Sequence, residues 1–174
     1  MTEQATTGHG HGQGTVILPR LGRLWLAWED AGLLAIEQFP SAARHDGPVP
    51  RSLAAPFEAF DAGEPIDLAQ MPVVLRGPPF FVEVWRALRR VKRGRVRTYG
   101  ALARDAGSPR ATRAVGTAMA RNPLPLVVPC HRVIADGSRI GGYTGGLPRK
   151  LALLELEGVR VDGDRVLAGQ LELL

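Results

Sequence analysis

The sequence predicts a mixed α/β (α+β) chain: an N-terminal lobe with a small antiparallel β-sheet and a helix, then a C-terminal, mostly helical lobe with a helix-turn-helix and short strands around a lone cysteine. Three observations carry that expectation. Leu24, Leu26 and Trp28 alternate with Trp25 and Ala27 and run into an Asp30-Ala31-Gly32 turn, the period of a half-buried strand entering a hairpin. Phe81, Val84, Trp85, Leu88 and Val91 fall at helical spacing instead. Charge divides the chain as well: residues 1–75 hold four arginines against nine acids, and residues 76–174 hold eighteen Arg or Lys against eight.

Taken in order, residues 1–14 are Gly, His, Thr and Gln with little to bury, and they are expected to form a disordered tail. His9 and His11 within it are a weak metal signal, and no metal site or cofactor is expected. Strands are expected over 15–36 and a Pro- and Gly-rich loop over 39–50. A short helix should begin near Pro56, since proline is tolerated in a first turn, and stop at Gly63. A connection over 65–79 places the boundary near Val74 to Arg76, giving lobes 15–75 and 76–174. The amphipathic helix follows, then a break at Lys92-Arg93-Gly94-Arg95. Helices are expected over 99–105 and 109–121, joined at Ala106-Gly107-Ser108, with Ser108 as cap and Pro109 in the first turn. Two short helices around a glycine-containing turn outline a helix-turn-helix. Asn122-Pro123 stops the second, and the apolar residues 124–128 read as a short buried strand leading to Cys130. A last helix over 150–157 ends at Gly158, and Asp162-Gly163 suggests a hairpin.

The chain has 174 residues, 45% hydrophobic and 22% charged, ordinary values for a soluble globular protein. No apolar run approaches the roughly 20 residues of a membrane span. Met1-Thr2-Glu3-Gln4 lacks the features of a signal peptide, and one cysteine forms no internal disulfide, so a cytoplasmic protein is expected. Between Arg86 and Arg113 ten basic residues face one acid, Asp105. Such one-sided charge calls for an anionic partner, most commonly nucleic acid, although a solvated basic face has the same composition.

Cys130 lies between Pro129 and His131-Arg132. A free thiol titrates at roughly 8.5, and the adjacent imidazole and guanidinium should lower that and favour the thiolate. A nucleophile also needs a base and a group to orient the base, for which His131 and Glu157 are the available pair. The plainer alternative is a small buried hydrophobe. On the second short helix, Arg110 and Arg113 flank the small residues Ala114, Gly116 and Ala118. That combination suits a helix lying on a nucleic-acid groove with its arginines on bases or phosphates, and small residues on a buried face are the alternative.

The motifs together resemble the O6-alkylguanine-DNA alkyltransferases (methylated-DNA–protein-cysteine methyltransferases). They are the Pro-Phe-x-x-x-Val-Trp helix, Thr98-Tyr99-Gly100, Arg113-Ala114-Val115-Gly116, Asn122-Pro123, Pro129-Cys130-His131-Arg132-Val133, Gly142-Tyr143-Thr144-Gly145-Gly146 and Glu157-Gly158. The resemblance implies double-stranded DNA bearing O6-alkylguanine as partner, bound through its minor groove by a monomer, with cooperativity along DNA left open. It implies that Arg113 fills the gap of a flipped-out guanine, that Cys130 accepts the alkyl group once and irreversibly, and that Tyr99 donates to the base. His131 would take the thiol proton through water, held by Glu157. Backbone groups of Cys130, Val133 and Thr144 would read the base edge, Tyr143 would wall the pocket and Asn122 would brace the turn at Cys130. The sequence departs from the family at Val91-Lys92-Arg93-Gly94, where a proline and an aromatic are usual, and at Pro78, where a threonine is usual. The zinc held by some members is not expected, because the first lobe has no cysteine. A lesion binder without the cysteine, a cysteine hydrolase and a plain transcription factor each leave part of this set unexplained.

Overall fold

A computed structural model describes residues 10–38 and 47–171. Val16, Leu18, Leu24, Leu26, Trp28, Leu33 and Ile36 bury one face of an antiparallel meander of β1 (Gly12–Leu18), β2 (Gly22–Glu29) and β3 (Gly32–Gln38). The first strand begins inside the expected tail, since Gly12 pairs with Trp28 and Gly14 with Leu26. Backbone pairing needs no side chain, and these glycines admit close neighbours. A Cβ on Gly12 would lie 2.5 Å from the Trp28 ring, and one on Gly14 would lie 2.4 Å from the Gly47 carbonyl. Residues 1–9, with His9, and residues 39–46 of the expected loop lie outside the described residues.

Helix α1 (Arg51–Asp61) starts five residues before the expected Pro56 and carries that proline internally. An interior proline costs a helix about 3 kcal/mol. Here the buried stripe Leu53, Ala54, Phe57 and Phe60 outweighs it, because full burial of one such large apolar side chain contributes about 1.5–3 kcal/mol. The chain then returns along β3, with Leu33 N–H donating to Pro72 O (3.0 Å) and Val74 N–H to Leu33 O (2.9 Å). Asp67 caps a short 3-10 turn, Leu68–Gln70, by accepting from Ala69 N–H.

Helix α2 (Pro79–Arg89) buries Val84, Trp85, Ala87 and Leu88, and Trp85 Nε1 donates to Ala118 O at 2.9 Å. Strand β4 (Arg97–Thr98) runs into α3 (Tyr99–Asp105), which Thr98 caps through its hydroxyl. Helix α4 (Thr112–Ala120) starts later than expected and without a side-chain cap. Pro109-Arg110 forms a turn instead, closed by Ala111 N–H to Ser108 O at 2.9 Å. Strand β5 (Val133–Ile134) pairs in parallel with β4, helix α5 (Leu147–Leu156) opens with Pro148 in its first turn, and β6 (Val161–Asp162) and β7 (Arg165–Val166) close a hairpin.

The main core runs from Val16 and Phe57 through Trp85 and Leu102 to Val128 and Leu153, so sheet and helices share one apolar interior. A smaller core of Val96, Ile134, Ile140, Leu154, Val159 and Val166 lies under the β4–β5 pair. Among the described residues no helix is long and apolar enough to cross a membrane, and no cluster of His, Cys, Asp or Glu has the makings of a metal site.

Candidate active site and nucleic-acid interface

The segment leading to Cys130 is buried as expected, but it is a tight turn and not a strand. Pro123 and Pro125 cannot donate to a ladder, and the Asn122 side chain does the pairing instead. Its amide accepts from Leu124 N–H (3.0 Å) and donates to Val128 O (2.8 Å), while Val128 N–H donates to Leu124 O (2.7 Å). Leu126 adopts φ 77°, an unfavourable backbone conformation for a branched residue, in a site where its side chain is buried. Cys130 then opens a 3-10 turn, Cys130–Arg132, whose continuation as β5 lies beside β4. The β4–β5 pairing brings Tyr99, which follows β4, to the same place as Cys130.

Successive side chains in a 3-10 turn point about 120° apart, and this separates Cys130 from its charged neighbours. Both His131 and Arg132 are fully buried and turn to Glu157. His131 Nε2 lies 3.0 Å from Glu157 Oε1, and Arg132 donates through Nε to Oε2 (2.8 Å) and through Nη2 to Oε1 (2.7 Å). Arg132 also donates to Val91 O (2.6 Å) and Asp67 Oδ1 (2.7 Å). Burial alone would raise the Glu157 carboxyl, but His131 and Arg132 together hold it at about 2. Glu157 sits at the C-cap of α5, one residue past the helix, which begins at Leu147 and not at Lys150. His131 Nδ1 is buried and has no partner within the described residues.

The thiol therefore behaves differently from the expectation drawn from its neighbours. Burial pushes Cys130 up, against smaller opposing effects from the Asn122 and Tyr143 side chains, the backbone N–H and the charge of Lys150. Burial likewise raises Tyr99 and Tyr143, and a thiolate at Cys130 raises each further. Both phenols stay protonated at neutral pH.

Two participants were missed in the sequence. Lys150 is fully buried and donates to Val133 O (2.6 Å), Ile140 O (2.5 Å) and Gly142 O (3.2 Å), gathering the loop after Cys130 around one ammonium. Its burial lowers it to about 8. The signal was available: Lys150, Leu153, Leu154 and Glu157 share one helical face. Gln38, the last residue of β3, lines the pocket beside Cys130, and nothing local in the sequence announces it.

Two adjoining cavities of about 200 and 320 Å³ meet at Cys130. Both are walled by Met119 and Ala120 of α4 on one side and by Tyr143 and Thr144 on the other. Tyr99, Gly116 and Gly142 complete one half; Gln38, Asn122, Pro125 and Gly145 complete the other. Val133 is buried, its N–H bonded to Cys130 O and its carbonyl to Lys150, which leaves the carbonyl one lone pair.

Outside the pocket, α4 presents a divided face. Val115, Ala118 and Met119 are core, so Ala118 belongs to the buried alternative. Arg110 and Arg113 are exposed, Ala114 is half-buried, and a Cβ on Gly116 would meet nothing within 4 Å. Packing therefore does not require glycine at position 116. The basic run is only partly available. Arg86 pairs with Glu83 and Arg97 with Asp105, and Arg89, Arg93 and Arg95 donate to carbonyls of residues 69, 71, 156 and 169. Arg90, Lys92, Arg104, Arg110 and Arg113 are left exposed.

The family model described as "6-O-methylguanine DNA methyltransferase, DNA binding domain" matches residues 79–159. The chain is 44% identical over 111 residues to the methylated-DNA–protein-cysteine methyltransferase of Mycobacterium bovis, covering 64% of this chain and 67% of that protein. It is 38% identical over 144 residues to the enzyme of that name from Saccharolobus islandicus, covering 81% and 92%. The crystal structure of Mycobacterium tuberculosis OGT in complex with DNA superposes with a TM-score of 0.73 at 38% identity, over 83% of this chain and 91% of that one. The O6-methylguanine-DNA methyltransferase of Pyrococcus kodakaraensis gives 0.63 at 29% identity, over 86% and 99%. A cysteine beside a buried His-Glu pair, at the floor of a pocket walled by an arginine-bearing helix and found in a chain with these relatives, places it in the methylated-DNA–protein-cysteine methyltransferase family.

Proposed function

We propose that Cys130 is the alkyl acceptor of a single-use DNA repair reaction, and that the residues meeting at its pocket divide the work as follows. Duplex DNA carrying O6-alkylguanine lies along α4 by its minor groove, with Ala114 and Gly116 against the backbone and Arg110 on phosphate. Arg113 enters the stack where the damaged base has left it. Flipping costs a few kcal/mol, and least for a base whose pairing is already damaged. The guanine occupies the half of the pocket bounded by Tyr99 and Gly142, where backbone groups of Cys130, Val133 and Thr144 reach its edge and Tyr143 walls it.

Because burial holds the thiol protonated, its proton must leave as reaction begins. In this reading His131 Nδ1, buried and without a partner among the described residues, takes it through a bridging water, and Glu157 on Nε2 holds the ring and stabilises the imidazolium. The sulfur attacks the alkyl carbon in line, a C–S bond forms, the C–O6 bond breaks, and its electron pair goes to the guanine ring. Tyr99, kept protonated by burial, donates to the base as that charge develops. A thioether does not revert, so each molecule acts once. A reduced thiol as the consumed group suits a cytoplasmic setting.

The observation that carries this reading is the buried His131–Glu157 pair beside a mostly buried cysteine in a pocket bordered by α4. Incubation with duplex DNA containing O6-methylguanine, followed by intact mass measurement, should show one added methyl on the protein and a plateau at one equivalent repaired. Cys130→Ser should show no adduct. Continued turnover past one equivalent would refute the acceptor role.

A further inference from the structure

We propose that Gln38 determines which alkyl groups the site accepts, its amide donating a hydrogen bond to groups that carry an oxygen. The proposal rests on the alkyl-transfer reading above. In-line displacement puts the sulfur and the guanine oxygen on opposite sides of the reacting carbon, so the rest of the alkyl group projects sideways. With the base in the half lined by Tyr99, that sideways space is the other half, where Pro125, Met119 and Ala120 are apolar and Gln38 is the one residue supplied by the N-terminal sheet.

Two observations mark Gln38 as more than lining. Its Nε2 is buried and makes no hydrogen bond of good geometry among the described residues, yet the amide lies near enough to the Tyr143 hydroxyl to act on it as a donor, and that hydroxyl lies beside the Cys130 sulfur. An amide nitrogen carries two N–H donors, so one can face Tyr143 while the other is left for an acceptor brought by the substrate, and a buried donor left unpaired is costly. The position is also held: Ile36 N–H, two residues earlier, donates to Pro123 O at 2.8 Å and clips the end of β3 to the turn that delivers Cys130. The terminal torsion of a glutamine is broad, so a small rotation turns Nε2 toward the cavity without moving the strand.

An apolar cavity discriminates poorly between a methyl and a hydroxyl, whereas a placed donor discriminates strongly. The test uses an isosteric pair, duplexes bearing O6-(2-hydroxyethyl)guanine and O6-propylguanine, with O6-methylguanine alongside, and reads single-turnover rates of adduct formation on the full chain. The wild type should favour hydroxyethyl over propyl. In Gln38→Leu that rate ratio should fall about tenfold, the scale of one lost neutral hydrogen bond. Gln38→Met, unbranched and of similar reach, should give the same shift. A ratio unchanged in both variants would overturn the proposal. Failure of the wild type to take even the methyl group would overturn the alkyl-transfer reading itself, and this proposal with it.

Discussion

At Cys130 two effects compete, and their magnitudes decide the chemistry. Adjacent positive charge favours a thiolate, but the Arg132 guanidinium is committed to Glu157 and Asp67 and His131 turns its Nε2 to Glu157, while burial acts on the sulfur directly. Burial wins. The sign is definite: a thiol pushed up is mostly neutral at pH 7, and its thiolate fraction grows as pH rises through the folded value. Reaction of Cys130 with iodoacetamide in the absence of DNA should therefore have its midpoint above the free-thiol value of roughly 8.5. A midpoint below that value would mean a preformed thiolate and would remove the need for His131 as base. The same accounting covers Lys150, whose three carbonyl partners hold it buried although burial alone disfavours its charge.

Helix α4 shows what a single element can carry on three faces. One face is core, one walls the pocket, and one presents Arg110, Arg113 and Gly116 outward. The open space at Gly116 separates its two uses. Gly116→Ala should raise stability to urea by up to about 1 kcal/mol, through helix propensity alone. It should also weaken binding to duplex DNA roughly tenfold, equivalent to about 1.4 kcal/mol, if a backbone lies there. A stabilised variant that binds DNA as before would place the groove elsewhere. Arg113→Ala should slow repair of duplex DNA more than reaction with a free O6-alkylguanine base, and equal losses would refute its place in the stack. Periodicity made α2 and the meander legible, because each carries its own pattern over several residues, and the flanking break and turn marked α3. The errors came where tertiary contacts overrule local signals: Pro56 inside α1, Pro109 outside α4, and the strand-like run 124–128 folded into a turn by the Asn122 side chain. Cys130 and His131 were readable as neighbours in one motif, and Glu157 as the carboxylate available on the later helix. Lys150 was readable only from its helical face, and Gln38 not at all, since it meets the pocket from about ninety residues away in sequence.

The molecule as a whole binds its N-terminal sheet to the reactive turn at several points, which bears on whether the two parts are separable. Ile36 is hydrogen-bonded to Pro123, Arg149 Nη2 donates to Leu21 O at 2.9 Å, and Asp67 accepts from both Arg132 and Arg93 N–H. The apolar core is continuous across them, from Val16 to Leu153. Such an arrangement should unfold as one unit, because exposing the sheet uncovers the faces of α2 and α4 as well. Trp25 and Trp28 report on the sheet and Trp85 on the helices. In single-tryptophan variants, fluorescence from each should follow one urea transition coincident with circular dichroism. Asp67→Asn keeps an acceptor for Arg132 but removes the charge, and it should lower stability by about 1–2 kcal/mol, the difference between a charged and a neutral hydrogen bond. Both reporters should shift together. A sheet that melts before the helices, in the wild type or in Asp67→Asn, would show that the continuous core does not couple the two parts. Gln38 would then reach the pocket from an independently mobile unit, and its influence on alkyl-group choice should weaken under the same mild urea that loosens the sheet.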